Sequence, residues 1–490
     1  MSEHHLRLGI DLGTSAVKVV ALDENNAVAA MGSAVFPTYA EMPGQAEQDP
    51  GDWLAATATA VSEVGRQLGG NWAVQVSAVG LAGQLPTLVC MGPDGPFDRA
   101  IAWMDSRADS WASGRIDAKR RELLYQSTGM PIDGRYLAPM FRFHCHECAH
   151  PVQVILSAKD FLCYALTGQV VTDPSTAAGY GVYTLAGGGW DPALCADWDL
   201  DPALLPVVRP AQAEAGPLNA AGARLLGLPE GLPVAVGAAD SVAAALAMGG
   251  ANEGIVSVIM GSSTVIIDAV TSLHLDPRRR YLMTPHAVAG WYGREMDLLS
   301  TGSGFRWLGE LMGWTNEELQ ARATASMPGA NGLFFAPYLA GGEQGALWNP
   351  ELRGTLHGLA LHHTAADIAR AFLEGVLFEI RRCVEVLAEA VPIQRIVLAG
   401  HMAASNAALG MLADILGRPI EPCLHLSPAA VGAGLLAPAR VAGHHHKPCT
   451  AAILAEGAAV VPGSAAAEYQ AIYRRYKALF PGAAMPPAVD

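Results

Sequence analysis

Two aspartates stand next to small residues in settings that suit proton transfer and phosphate chemistry. Asp11 interrupts an apolar run, LGIDLGTSAVKVVALD, directly before the Gly-Thr-Ser turn at 13–15. Asp240 follows the small residues 237–239 and opens the Ala-rich run DSVAAALAMGG. A carboxylate can accept a hydroxyl proton or orient a water or a magnesium ion, so both are candidates for catalysis. Each also has an ordinary explanation, Asp11 as the partner of a turn amide and Asp240 as a helix N-cap.

A short repeat links the Asp11 segment to the middle of the chain. The segment VSVIMGSSTVIID, aligned beneath LGIDLGTSAVKVV, matches Gly261 with Gly13, Ser262 with Thr14, Ser263 with Ser15 and Val265 with Val17. Each copy places a glycine and two hydroxyl residues between apolar strands, a turn that can point N–H groups and hydroxyls at an anion. Two such turns predict a clamp around a polyphosphate. Ile259 stands at the position of Asp11 in the second copy, so the turn itself does not require the acid.

The candidate residues fall at the ends of predicted strands and at the start of a predicted helix. Apolar residues alternate on both sides of the turn at 13–15, which predicts two strands joined tightly. The run 232–236 predicts a strand that leads into a helix beginning near Asp240. Thr364 precedes the amphipathic run DIARAFLEGVLFEIRRCVEVLAEA, which predicts a long structural helix with Arg381 and Arg382 on a solvated face.

Composition limits the classes of function. A chain of 490 residues that is 51% hydrophobic and 16% charged predicts two or three globular domains. A net charge of -15 argues against a nucleic-acid partner, because such binding relies on Lys and Arg. No stretch reaches the roughly 18 to 20 apolar residues of a bilayer span, and the start lacks a signal-peptide pattern. We therefore expect a cytoplasmic protein with no membrane partner.

Cysteine usage fits that expectation. The eight cysteines are scattered, unlike a secreted disulfide framework, and are predicted to be free thiols. One cluster, HCHECAH at 144–150, could bind zinc from a helix. A structural zinc site normally takes a second ligand pair from a distant turn, and no such pair is evident, so we expect no metal there.

Taken together, the motifs resemble the FGGY family of carbohydrate kinases, and within it the xylulokinase-like branch. The matching segments, in chain order, are GIDLGTSAVK, AEQDPGDWL, GLAGQ, AIAWMDSRA, SAKDFLCYALTG, GAADS, FFAPYLAGGE, NPELRGTLHGL and VLAGHMAASNAALGMLADILG. The resemblance implies a two-domain α/β, actin-like (ribonuclease H-like) ATPase fold. Each domain would be built on a five-stranded sheet, with the nucleotide in the cleft between the domains.

The resemblance also sets expected domain boundaries. We expect an N-terminal domain over 1–245, a C-terminal domain over 246–470 and a tail over 471–490, whose Pro-rich end PGAAMPPAVD need not be ordered. The expected partner is a small sugar or polyol, and a homodimer is the assembly to test.

Roles for the two aspartates follow from the resemblance. Asp240 matches the family's general base, and Asp11 matches the acid that lies near the magnesium and phosphates of Mg–ATP. The residues expected to face the phosphates are Gly13, Thr14, Ser15 and Lys18 in the first domain and Gly261, Ser262 and Ser263 in the second. Lys18 could equally be a solvated strand residue.

The expected sugar site departs from the family pattern. Its residues would be Gln84, Leu85, Pro86, Trp103, Asp105 and Arg107, together with Asp240. Xylulokinases typically carry Met and His where this chain has Leu85 and Pro86. Proline removes a hydrogen-bond donor, so we expect a more apolar pocket and a substrate that is less hydroxylated at that end.

The expected nucleotide site departs as well. The family's Gly-Gly-Gly or Gly-Gly-Ala becomes Gly400-His401-Met402, followed by Ser405, which places side chains where backbone normally approaches the nucleotide. His401 could contact the adenine or a phosphate, or it could obstruct ATP. Because Asp11 and Asp240 are both present, we expect an active enzyme.

Three functions remain open at this level. The favoured one is an ATP-dependent kinase of a ketopentose, with D-xylulose first and ribulose, erythrulose, a deoxyketose or a polyol as alternatives. The second is another actin-like ATPase, a chaperone or phosphatase without a sugar acceptor. The third is a non-catalytic sugar sensor, for which only the His401 change speaks.

Overall fold

The computed structural model describes residues 6–144, 152–340, 345–349, 352–424, 427–438 and 457–481. All but the first residue of the HCHECAH cluster, and residues 482–490 of the expected tail, lie outside these ranges. Across the described ranges, every helix is too short or too polar to cross a bilayer.

The first half of the chain alternates strands and helices. Its strands are β1 (Leu6–Leu12), β2 (Ala16–Leu22), β3 (Val28–Val35), β4 (Glu47–Gln48), β5 (Val76–Gly83), β6 (Val89–Gly92), β7 (Gly95–Pro96), β8 (Ala100–Ile101), β9 (Val154–Leu156), β10 (Val171–Thr172), β11 (Tyr183–Thr184), β12 (Gly189–Trp190), β13 (Val207–Val208), β14 (Glu214–Pro217), β15 (Pro233–Ala235) and β16 (Ala238–Ala239). Its helices are α1 (Pro50–Leu68), α2 (Asp109–Ser113), α3 (Ala118–Thr128), α4 (Leu137–His144), α5 (Ala158–Thr167), α6 (Pro174–Ala178), α7 (Pro192–Asp197), α8 (Ala220–Leu226) and α9 (Asp240–Met248), with 3₁₀ turns at Trp72–Gln75 and Pro202–Leu204.

The second half repeats the alternation with fewer elements. Its strands are β17 (Ile255–Met260), β18 (Thr264–Val270), β19 (Leu282–Pro285), β20 (Tyr292–Leu298), β21 (Phe334–Ala336), β22 (Thr355–His357), β23 (Arg395–Gly400) and β24 (Glu421–Cys423). Its helices are α10 (Gly302–Met312), α11 (Asn316–Ala325), α12 (Ala365–Ala388), α13 (Asn406–Leu416), α14 (Pro428–Leu436) and α15 (Ala466–Leu479), with 3₁₀ turns at Ala330–Gly332 and His401–Ala404.

Each half is organised around one mixed sheet. The first sheet has the order β14-β15-β5-β1-β2-β3, with β16 also pairing with β5, and the second has the order β19-β20-β18-β17-β23-β24. The run β15-β5-β1-β2-β3 has the same pairing directions as β24-β23-β17-β18-β20: two parallel pairs, then two antiparallel ones. The predicted two-domain α/β fold is confirmed, with one duplicated five-stranded unit in each half.

The two phosphate-type turns differ in length by one residue. The Gly13 N–H donates to the carbonyl of Ala16 at 3.1 Å, whereas the Gly261 N–H donates to the carbonyl of Ser263 at 2.8 Å. The shorter second turn places Thr264 at the position that Val17 occupies in the first hairpin. The alignment of Val265 with Val17 is therefore off by one residue.

Helices α9 and α14 pack against each other between the two sheets. Helix α14 contacts β1, β2 and β5 of the first sheet, while α9 contacts β16, β17 and β18. Gly432 allows this close approach, because a Cβ there would lie 1.9 Å from the carbonyl oxygen of Ala243. The start of α9, which carries Asp240, is thus held between the domains.

The C-terminal helix belongs to the second domain. Helix α15 runs through the boundary expected at residue 470, and Tyr469, Tyr473 and Tyr476 are buried against Phe378 of α12. The expected tail over 471–490 therefore begins too early, because Tyr473 and Tyr476 form part of this core.

The long predicted helix forms as α12. Thr364 caps it through a reciprocal bond with Asp367, as the sequence predicted. The prediction that Arg381 and Arg382 lie on a solvated face is wrong. Arg382 is buried beside Glu379, and Arg381 bonds to the carbonyl oxygen of Ile415 at 2.7 Å, because α12 is covered on several sides.

Candidate active site

A cavity that is open to solvent lies where the two domains meet. Polar side chains on its wall are Thr14, Gln84, Arg135, Tyr136, Ser175, Asp240, Ser241, Ser263, Thr284, Glu295 and Asp297. Apolar side chains on its wall include Leu85, Pro86, Trp103, Met130, Val265, Leu282 and Leu299. The site is built from both halves of the chain, as expected for a cleft enzyme.

Asp240 reaches this cavity from the first turn of α9. Ala239 holds the N-cap position, and Asp240 is the first helical residue, with its Oδ1 accepting from the Ser241 N–H at 2.8 Å. Burial, followed by the nearby charge of Asp11, raises the pKa of Asp240 to about 8. The side chain lines the cavity as a proton acceptor would, and the alternative of an N-cap residue does not describe its position.

A buried ion network fixes the chain just before Asp240. The backbone N–H of Ala239 donates to Ser175 Oγ at 2.9 Å, and Ser175 in turn donates to Asp173. Lys159, fully buried, lies 3.3 Å from Asp173 and donates to Asp160 at 2.8 Å. Sequence reasoning missed this network, although a Lys-Asp pair inside the otherwise apolar α5 is a signal for it.

Asp11 lies at the end of β1 with an unsatisfied oxygen. It is buried opposite Lys18 on β2, and burial raises its pKa to about 6 while the Lys18 charge opposes the rise. Its Oδ1 has no hydrogen-bond partner among the described residues. An unpaired carboxylate oxygen beside a phosphate-type turn fits a water or a magnesium ligand.

The two turns are brought to the same cavity. Thr14 and Ser263 lie on its wall, and Thr14 Oγ1 accepts from Trp103 Nε1 at 3.2 Å. The carbonyl of Ser262 accepts from the Ser303 backbone N–H at 3.0 Å, which anchors the second turn to α10. The other residues of the turns, Gly13, Ser15, Gly261 and Ser262, belong to the same two loops without lining the described part of the wall.

The expected sugar residues divide into two groups. Gln84, Leu85, Pro86 and Trp103 lie on the cavity wall. Gln84 donates to Gln48 Oε1 at 2.7 Å, while its own Oε1 is buried with no partner in the described ranges. Leu85 and Pro86 do form an apolar patch, and the rest of the wall mixes polar with apolar side chains, so the expected apolar end of the pocket lies beside polar groups.

Asp105 and Arg107 are structural residues in this fold. They are absent from the described cavity wall. Asp105 accepts from the Ala46 N–H at 2.9 Å and from Arg107, and Arg107 also donates to Glu47 at 2.6 Å. The buried carboxylate is satisfied by these donors, so the pair ties the loop after β8 to β4, and its predicted contact with a sugar stays a prediction.

The expected nucleotide residues follow β23, away from the described cavity wall. Gly400 has φ +106°, and a Cβ there would lie 2.0 Å from the carbonyl of Met260. His401 is exposed at the start of a 3₁₀ turn, and Ser405 caps α13 by accepting from the Ala408 N–H at 3.4 Å. The His401 side chain is therefore accessible to a ligand, and its role stays a prediction.

Three charged residues on the wall were missed from the sequence. Glu295 and Asp297 lie two residues apart on β20, and Arg135 lies before α4. Burial raises the pKa of Asp297 to about 7, and burial with the Asp297 charge raises the pKa of Glu295 well above its usual range. Two acids alternating with apolar residues in the strand YGREMDL were the available signal.

Comparison with known proteins agrees with this geometry. A xylulose kinase of Staphylococcus epidermidis is 28% identical over 436 residues, covering 88% of this chain and 87% of that protein. A gluconokinase of Bacillus licheniformis is 28% identical over 432 residues, covering 83% and 82%. The crystal structure of a xylulose kinase from Rhodospirillum rubrum matches with a TM-score of 0.84 and 29% identity, covering 97% of this chain and 98% of that one. Residues 6–247 and 256–440 match the N-terminal and C-terminal domains of one family, and the chain belongs to the FGGY family of carbohydrate kinases.

Proposed function

We propose that this protein is an ATP-dependent kinase that transfers the γ-phosphoryl group to a hydroxyl of a ketopentose, with D-xylulose as the first candidate. Ribulose, erythrulose, a deoxyketose and a polyol are the alternatives. The observation that carries the proposal is Asp240, a carboxyl with a raised pKa on a cavity wall that also holds Thr14 and Ser263 of the two turns.

Asp240 would serve as the general base. A sugar hydroxyl is a poor nucleophile at neutral pH, so a carboxylate that accepts its proton speeds the reaction. The hydroxyl oxygen bonds to the γ-phosphorus, the bond to the β,γ-bridging oxygen breaks, and the proton passes to Asp240. A pKa of about 8 makes the ionised carboxylate a strong enough base for this role.

The phosphates of ATP would lie between the two turns. The N–H groups of Gly13 and Gly261 are bonded within their own turns, which leaves those of Thr14, Ser15, Ser262 and Ser263 as donors. Lys18, opposite Asp11 on the neighbouring strand, lies close enough to contribute positive charge.

A magnesium ion would be held through Asp11. The unpaired Oδ1 of this buried carboxylate is the kind of oxygen ligand that the ion prefers, reached directly or through water. When bound, the ion neutralises charge on the phosphates. Closure of the two domains would exclude water, which would otherwise receive the phosphoryl group.

The two other functions that the sequence left open are less well supported than a kinase. Membership of a carbohydrate kinase family disfavours a chaperone or phosphatase. A non-catalytic sensor would not need a carboxyl on the cavity wall whose pKa is raised by burial and by the charge of a second acid, as that of Asp240 is by Asp11.

Formation of ADP by the purified protein tests the proposal. The assay contains ATP and magnesium, with and without D-xylulose, D-ribulose, L-xylulose, erythrulose, glycerol or D-gluconate. We expect ADP to form only when an acceptor is present and fastest with a ketopentose. Equal ADP formation without any acceptor, or none with every acceptor, would contradict the proposed function.

A further inference from the structure

The cavity wall carries more acidic than basic groups. Among its described residues, three carboxyl groups, those of Asp240, Glu295 and Asp297, face one guanidinium, that of Arg135. Glu295 and Asp297 come from β20 of the second domain, and Asp240 and Arg135 come from the first. Because residues two apart on a strand share a face, both acids of β20 point to the same side of the sheet.

Arg135 balances only part of this charge: its guanidinium opposes the rise in the pKa of Asp297, but it is also paired with Asp133. Its Nε donates to the carboxylate of Asp133 at 3.2 and 3.1 Å, and its Nη2 bonds to the same group. A guanidinium held by one carboxylate has less attraction left for the carboxylate of a ligand. An anion entering the cavity would therefore meet Asp240, Glu295 and Asp297 without a dedicated cation.

Uncharged hydroxyl groups suit the same wall. The raised pKa values of Asp240 and Asp297, about 8 and about 7, mean that protonated and ionised carboxyls coexist near neutral pH. Such a set can both donate and accept hydrogen bonds, as hydroxyl groups do. Gln84, 1% exposed, adds an Oε1 that has no partner in the described ranges and can only accept.

We infer that the cavity takes a polyhydroxylated substrate without a carboxylate and disfavours sugar acids, with Glu295 and Asp297 of the second domain as specificity-determining residues. The inference rests on the proposed kinase function and narrows its substrate class. Like charges placed together weaken recognition by more than one or two extra hydroxyl contacts strengthen it.

Three compounds with the same hydroxylated chain isolate the effect of charge. D-Glucitol, D-gluconate and D-glucamine differ at one end, which is a hydroxymethyl, a carboxylate or an ammonium group. Calorimetric titration of each into the full-length protein at pH 7.5, without nucleotide, gives their dissociation constants. We expect D-glucitol to bind about 10-fold more tightly than D-gluconate or better, and D-glucamine, whose ammonium group is attracted to the acidic wall, to bind more tightly than D-gluconate as well.

Two variants test whether Glu295 and Asp297 cause the difference in affinity between D-glucitol and D-gluconate. Asp297→Asn and Glu295→Gln keep the shape of each side chain and remove its ionisable carboxyl group, so each is expected to narrow the difference in affinity between D-glucitol and D-gluconate several-fold. Glu310→Gln is the matched control, because Glu310 is exposed on α10 and outside the described cavity wall, and it should leave the gap unchanged. Thermal unfolding checks that each variant folds; if Glu295→Gln does not, Asp297→Asn and the wild-type ranking decide.

The outcomes separate the inference from the proposed function. Binding of D-gluconate as tightly as D-glucitol or D-glucamine, an unchanged difference in affinity between D-glucitol and D-gluconate in the folded variants, or binding of none of the three overturns the inference. The ADP assay is scored independently. The expected ranking without phosphoryl transfer to any acceptor overturns the kinase proposal alone, whereas D-gluconate as the best acceptor overturns the inference and leaves a sugar kinase.

Discussion

The hairpins β1–β2 and β17–β18 have the same pairing but different chemistry. In the first, Leu12 lies opposite Val17 and beside Gly83 of β5; in the second, Met260 lies opposite Thr264 and beside Gly400 of β23. One residue earlier, the first hairpin has Asp11, whereas the second has an isoleucine. The backbone is duplicated, and the buried acid is not.

This difference shows that the duplicated backbone provides matching positions in the two hairpins, whereas the sequence determines which of those positions carries a charge. The acid of the first domain lies at the phosphate-type turn as Asp11, whereas the wall acids of the second domain lie two strands away on β20, as Glu295 and Asp297. The loops after the matched glycines diverge in the same way. The loop after Gly83 lines the cavity, while the loop after Gly400 carries an exposed histidine outside the described wall.

The largest effect is expected from Asp240→Asn. The amide keeps the size of the side chain but cannot accept the hydroxyl proton, so kcat should fall about 10²- to 10⁴-fold with KM for sugar and ATP little changed. Steady-state kinetics with the best acceptor measure both constants. Asp98→Asn, an exposed acid between β7 and β8, is the matched control. A kcat near that of the wild type would leave Asp240 with a structural role.

A smaller loss of activity is expected when Asp11, the acid that distinguishes the first hairpin from the second, is replaced. Asp11→Asn should lower activity about 10- to 100-fold, as loss of a group that orients a metal or its water typically does. Ile259→Val, at the matched position, should change kcat less than about 2-fold, since it removes one methylene from a partly buried side chain and no charge.

The interaction between Asp11 and Asp240 should be visible in the pH dependence of kcat/KM. With the pKa of Asp240 raised to about 8, kcat/KM of the wild type should fall as pH drops below about 8, because the base becomes protonated. The charge of Asp11 is a cause of that rise, so Asp11→Asn should move the acidic limb to lower pH. A limb that stays in place in Asp11→Asn would show that the two carboxyls do not interact.

Gly83 and Gly400 occupy matched positions in the two sheets, and their replacement by alanine should lower the free energy of unfolding by different amounts. Ala at Gly400 would combine a φ of +106° with a Cβ 2.0 Å from a carbonyl oxygen, whereas a Cβ at Gly83 would lie 3.1 Å from Lys159 Cβ. We expect Gly400→Ala to lower the free energy of unfolding by about 1–3 kcal/mol or more and Gly83→Ala by less than about 1 kcal/mol. Thermal unfolding of both variants measures the difference, and equal losses would contradict the geometric argument.

The smallest signal is expected from domain closure. If the turns at 13–15 and 261–263 hold the same polyphosphate, D-xylulose with a non-hydrolysable ATP analogue should reduce the radius of gyration in small-angle scattering. Each ligand alone is the control. No change with both ligands bound would count against the clamp.

The sequence by itself determined the features that depend on near neighbours. Strand alternation around residues 13–15, the capping box at Thr364 and the glycine-hydroxyl repeat were all readable, because each is set by residues a few positions apart. Asp11 and Asp240 could be singled out for the same reason, as acids in otherwise apolar segments.

Only the tertiary structure decided what lines the cavity. Asp105 and Arg107 match the family pattern, yet their side chains hydrogen-bond to each other and to nearby protein groups outside the described wall. Arg135 and Asp297 are 162 positions apart in the chain, yet both lie on the cavity wall and their charges interact. Helix α15 likewise joins the core through tyrosines that local pattern placed in a tail. Which side chain faces a ligand depends on the packing of whole domains, and that packing is set by contacts between residues far apart in the chain.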